Sequence, residues 1–123
     1  MLRNFLYVML GGAIGSALRY LVGLACQNFR WLSMPWGTLI VNIAGCFLLG
    51  SLWGWLSRSA QMGSSLALFL TVGLCGGFTT FSTFSKEALM MLQNGNFLTF
   101  AVYVLTSIIL GIAFVGVGYQ ITQ

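Results

Sequence analysis

Histidine is missing from these 123 residues, and Glu87 is the only acid among them. Without imidazole and without a second carboxylate, the chain cannot assemble a Ser/His/Asp constellation, a general acid/base pair or a histidine–carboxylate metal site. Enzymatic chemistry is therefore not expected. Charge of either sign is scarce: Lys, Arg, Asp and Glu make up 5% of the residues, against the roughly one quarter typical of a soluble domain. The formal charge of +4 comes from Arg3, Arg19, Arg30, Arg58 and Lys86 offset by Glu87, and apolar blocks separate the five cations. No basic patch suited to nucleic acid forms. Cysteine is sparse as well. Cys26, Cys46 and Cys75 are odd in number, lie in or beside apolar stretches and form no CxxC pair, so they read as small buried hydrophobes.

Hydrophobic residues, by contrast, make up 59% of the chain, with a mean hydropathy of +0.95. About 20 apolar residues rising about 1.5 Å each span the hydrocarbon of a bilayer. Four stretches meet that length: residues 4–26, 36–56, 66–92 and 97–121. The connections "QNFRWLSMP", "SRSAQMGS" and "QNGN" are short, which predicts an all-α, multi-pass membrane protein forming a single domain over residues 1–123. No small-residue cleavage site follows the first stretch, where Arg19 stands instead, so it is expected to be retained. Trp31, Trp36, Trp53 and Trp55 fall near stretch ends, where indoles favour the headgroup region, and Pro35 suits a helix start. Gly11 and Gly15, Gly50 and Gly54, and Gly73 and Gly77 each have the spacing of close helix–helix contact.

Orientation is weakly encoded. Arg3 and Arg58 belong to one side of the membrane, Arg30 and Lys86 to the other, so the positive-inside rule has little to act on. A single weakly determined orientation and insertion both ways, with pairing to an inverted copy, are both open. Four helices of this size enclose little interior, which favours a dimer.

The third stretch contains "GGFTTFSTF", residues 76–84. Its length exceeds what a bilayer requires, and Gly76 with Gly77 followed by Thr79 and Thr80 predicts an interruption, with a threonine capping the helix that follows. Backbone groups freed at membrane depth survive only in protein or along a polar cavity, and broken helices recur as ion-holding devices. The carbonyl end of such a break suits a small cation such as sodium, and the amide end suits an anion. Phe81 and Phe84 are three apart on one helical face, and ring edges attract small anions weakly; facing lipid or packing is the plainer use. Asn42 stands one turn after Thr38, and Ser107 one turn after Tyr103. Each pair could serve interhelical hydrogen bonding or line a path. Arg19 and Glu87 lie nearest the hydrocarbon, where an arginine can snorkel to the interface.

"GGAIGSALRY" at 11–20, "GTLIVNIAG" at 37–45 and "GLCGGFTTFSTFSKE" at 73–87 resemble the small bacterial fluoride channels of the Fluc, or CrcB, family, and the four-span layout extends the resemblance over essentially the whole chain. The resemblance implies four transmembrane helices with the third broken near its middle, an antiparallel (dual-topology) homodimer in the bacterial inner membrane, and passive export of fluoride that accumulates from neutral HF. It further implies a structural sodium ion on the backbone carbonyls of Gly76 and Thr79 from both subunits. Phe81, Phe84 and Asn42 match the family's pore residues, Ser82 and Thr83 its polar track, with Thr38, Tyr103 and Ser107 as further lining; Arg19 and Glu87 match its vestibule charges. Gly111 stands where some relatives are expected to carry another hydroxyl, which leaves the track beyond Ser107 open. The rival class is a four-helix proton-coupled multidrug exporter, which needs a carboxylate deep within a span; Glu87 lies too near an end.

Overall fold

The computed structural model describes residues 1–29 and 31–123. Arg30, one of the loop charges weighed above, lies outside the described residues. All regular structure among the described residues is helical, and four segments are long and apolar enough to cross a membrane: Leu2–Cys26, Trp36–Arg58, Ser65–Gln93 and Phe97–Thr122. These bounds lie within about two residues of those expected from hydropathy. Helix α1 is Leu2–Cys26, α2 is Trp36–Arg58, and α6 is Phe97–Thr122. The third span is composite: α3 (Ser65–Leu68), a wide π-helical stretch over Phe69–Cys75, α4 (Gly76–Phe78), a gap, and α5 (Phe81–Gln93).

Glycine contacts define two seams. In the first, α1 packs against the third span: a Cβ on Gly11 would run into the Phe69 carbonyl, and one on Gly77 would lie 2.7 Å from the carbonyl of Gly12. In the second, α2 packs on α6, where a Cβ on Gly50 would collide with the Val115 carbonyl and one on Gly118 would stand 2.7 Å from the Ser51 amide. In lipid, helices gain little by burying apolar side chains against one another, so such backbone proximity holds the bundle. All three glycine pairs singled out by spacing take part, Gly54 against the end of α6 and Gly15 against Leu74 and Phe78.

The π stretch had no forecast in the hydropathy pattern. Thr71 sits within it, and its hydroxyl donates to the Ala67 carbonyl at 2.6 Å, claiming an acceptor that the helical ladder would otherwise use. At the bundle end where α1 finishes and α2 starts, a short 3₁₀ turn, Trp31–Ser33, has Leu32 at φ 58° and Ser33 at φ 54°, two left-handed residues that fold the aromatic loop back over the helix start. The Trp36 indole donates to the Trp31 carbonyl at 2.8 Å there.

Candidate functional site

The interruption of the third span does not fall on the glycine pair. Gly76 keeps helical angles (φ −63°, ψ −38°), and the chain extends two residues after Gly77, at Thr79 (φ −87°, ψ 160°) and Thr80 (φ −149°, ψ 118°). Gly77 serves the α1 seam instead, where its missing side chain admits the backbone of Gly12 and Ser16. The chain opens at the threonines: the Thr80 hydroxyl takes over an amide that the helix gives up, whereas Thr79 keeps its helical amide bond to the Cys75 carbonyl and adds a second from its hydroxyl. Thr79 Oγ1 donates to the Cys75 carbonyl at 2.9 Å, and Thr80 Oγ1 accepts the Thr83 amide at 3.2 Å, capping α5 as its sequence position predicts.

Asn42 completes the exchange from across the bundle. Its side-chain Oδ1 accepts the Thr80 amide at 2.8 Å, and its Nδ2 donates to the Thr80 carbonyl at 3.1 Å. One carboxamide thus satisfies both ends of a single extended residue. Of the two uses open for Asn42, the interhelical one is present in its strongest form, to backbone.

These diversions release acceptors. In an unbroken helix the Thr80 amide would serve the Gly76 carbonyl, and the Thr83 amide would serve that of Thr79. Both amides are turned elsewhere, so the Gly76 and Thr79 oxygens lose their helical partners. A third carbonyl, Gly77, is taken by Arg19, whose Nε donates to it at 3.0 Å. Arg19 does not simply snorkel: it places a cation at the carbonyl end of the first half-helix while lining a cavity of about 520 Å³ with Ser16, Thr38, Thr80 and Thr83. Among the described residues no cluster of His, Cys, Asp or Glu could hold a metal, so a cation here would be met by neutral oxygens, the freed carbonyls among them. Gly76 and Thr79 fit that role, since unwound carbonyls are the ligands that broken helices offer sodium.

Beyond the break, Phe81 and Phe84 are 5.9 Å apart between centroids, and Phe84 lies 5.1 Å from the ring of Tyr103. Phe84 packs against the small core of Met34, Leu39, Met91 and Tyr103, whereas Phe81 is 79% exposed. Ser82 and Gly76 are exposed too. Tyr103 is fully buried, with its hydroxyl donating to Glu87 Oε1 at 3.0 Å. Thr38 is buried alongside. One turn on, the Ser107 hydroxyl is buried and has no hydrogen-bond partner among the described residues. At Gly111 an added Cβ would meet nothing nearer than Cys46 Sγ at 3.5 Å, an ordinary contact, so a methyl group fits there. The three cysteines are free, Cys75 buried and the others half-buried.

The assembled residues define a four-span membrane protein whose third span opens to release backbone oxygens beside a row of hydroxyls and phenyl rings. The family described as CrcB-like protein, Camphor Resistance (CrcB), matches residues 6–119, and the chain belongs to it. Curated relatives carry the name fluoride-specific ion channel FluC. The one from Phocaeicola vulgatus is 42% identical over 122 residues, covering 99% of this chain and all of the relative. That from Hyphomonas neptunium is 47% identical over 118 residues, 95% of this chain and 93% of the relative, and that from Azobacteroides pseudotrichonymphae 41% over 123, covering 100% and 98%.

Proposed function

We infer that the chain is a fluoride channel, a passive conductor and not an enzyme, that works as an inverted homodimer in the bacterial inner membrane. Membership of a family whose relatives are named for fluoride, over nearly their full length, supports the ion. One observation carries the assembly. Gly76, Phe81 and Ser82, which flank the interruption, lie on the outside of a single chain. Extended, polar backbone at membrane depth is not tolerated against lipid, and a second copy laid over this face would cover it. The nearly even charge on the two ends of the spans permits that copy to be upside down.

In this arrangement fluoride leaves water at the Arg19 cavity and travels past neutral donors: the hydroxyls of Thr38, Ser82, Thr83 and Ser107, the amide hydrogen of Asn42 not given to Thr80, and the ring edges of Phe81 and Phe84, with Tyr103, whose hydroxyl hydrogen is given to Glu87, lining the path. Fluoride is small and strongly hydrated, so many weak, closely spaced donors replace its shell without trapping it. Ser107 supports this reading because its buried hydroxyl has a hydrogen to give. Glu87 holds the oxygen of Tyr103 in place from the vestibule side. The carbonyls of Gly76 and Thr79 from both copies would hold a sodium ion, supplying positive charge at the centre of the assembly and fixing the two chains together.

Reconstituted in liposomes, the protein is expected to release loaded fluoride to an electrode and to retain chloride. Phe81→Ile and Phe84→Ile should each lower the fluoride rate at least about tenfold, with the size-exclusion profile unchanged. Normal flux in both variants removes the phenyl rings from the path. In cells, with Cys26, Cys46 and Cys75 replaced by Ala, an Arg3→Cys chain should be labelled from outside in about half its copies; labelling confined to one side rules out the inverted pair.

A further inference from the structure

Helices α2 and α6 meet in a single register: Cys46 lies against Gly111, Gly50 against Val115 and Gly54 against Tyr119. Residue numbers rise together on both sides, so the two helices are parallel and each of these contacts is about one turn beyond the last. Stepping the register back one turn at a time sets Ser107 opposite Asn42 and Tyr103 opposite Thr38. The path residues on these two helices therefore occupy two successive rungs of one ladder. Cys46 and Gly111 form the next rung.

That rung stands between an open level and a closed one. On one side the Ser107 hydroxyl is buried and has no hydrogen-bond partner among the described residues. On the other, a Cβ on Gly50 would collide with the Val115 carbonyl, so the backbones touch and leave no passage between them. At the rung itself Gly111 brings no side chain, and Cys46 Sγ lies 3.5 Å from where a Gly111 Cβ would stand. The sulfur thus rests on the α6 face that carries Ser107, since residues four apart share a face. Its level is that of the break in the third span, because a Cβ on the preceding residue, Gly45, would run into the Thr79 methyl group. The thiol is free and half-buried.

We propose that Cys46 is the last fluoride donor on the α2–α6 groove of one chain, its S–H receiving the ion from Ser107 where the groove closes. The assignment rests on the channel reading above. An S–H group donates more weakly than a hydroxyl, which suits a terminal position, where the ion has to be passed on and not held. The plainer use, packing as a small hydrophobe, makes the opposite forecast for substitution.

Cys46→Ser, Cys46→Ala and Cys46→Val separate the two uses, with fluoride efflux from liposomes read by electrode and thermal unfolding followed in parallel. For a donating thiol, the Ser variant should keep its rate within about twofold of the parent, while the Ala and Val variants fall about fivefold or more whatever their unfolding midpoints. A cysteine that only packs gives the reverse order, because Ala and Val suit an apolar contact and a hydroxyl does not. Should Cys46→Ala fail to give monodisperse protein, the comparison of Ser with Val decides alone. A parental rate in Cys46→Ala, or a Ser variant as slow as the Val one, overturns the assignment and leaves the channel reading in place. A parent chain that releases no fluoride overturns both.

Discussion

The two glycine seams are built from the same device and are used differently. Where α2 meets α6, both helices run without interruption, and side chain–backbone bonds such as Thr122 to Gly118 stay within one helix. Where α1 meets the third span, polar groups cross: Ser65 donates to Asn4 at 2.7 Å and Arg19 to the Gly77 carbonyl. The first seam is scaffold. In the second, close backbone contact immobilises a half-helix so that its end can be left open. Asn42 links them, projecting from the scaffold pair to Thr80, one of the two extended residues of the other. The lesson is that a broken helix needs an intact neighbour pressed against it, because the energy lost in two or three hydrogen bonds has to be recovered from fixed partners.

The largest effect should come from the scaffold. Gly50→Ala places a methyl group against the Val115 backbone, which cannot rotate away, and should cost about 3 kcal/mol; a fall in unfolding midpoint with loss of monodisperse protein checks it, and an unaltered midpoint would show the seam to be loose. Next, Asn42→Ala leaves the Thr80 amide and carbonyl without partners, a loss of about 2 kcal/mol, and should also reduce fluoride flux. Amide hydrogen exchange at Thr80 should rise in that variant and stay low within α2. Removing only the cap, Thr80→Val, should cost about 1 kcal/mol and fray the first turn of α5 while the scaffold seam keeps its protection. The smallest change is expected from Gly111→Ala: a Cβ there meets nothing nearer than Cys46 Sγ at 3.5 Å, and stability should shift by less than about 0.5 kcal/mol in thermal unfolding, in contrast to Gly50 on the facing helix.

Much of this architecture could be read from residue order. The spans follow from hydropathy, and the glycine pairs follow from a four-residue spacing that has few uses in lipid. The break was legible as a region but not to the residue. Adjacent glycines suggest a loosened helix, yet Gly77 packs against Gly12, and the extended angles pass to Thr79 and Thr80, of which Thr80 has a hydroxyl that stands in for a missing bond. Interhelical bonding by Asn42 is one of the two uses its position leaves open, but its partner lies 38 residues away, and no local pattern names the backbone of Thr80. Arg19 resembled a helix-end charge bound for the interface; its bond to Gly77 depends on how α1 crosses the third span, which periodicity does not encode.

The wide turns over Phe69–Cys75 decide the compass bearing of everything that follows them. A stretch wound with five residues between donor and acceptor carries more chain per rung than an ordinary helix, so dropping a single residue from it would rotate the remainder of the span by about 100°. Thr79 and Thr80 would then unfold their backbone toward lipid instead of toward Asn42. Where the span opens is written in two threonines; which way it opens is written in seven residues upstream, of which only Thr71 is polar.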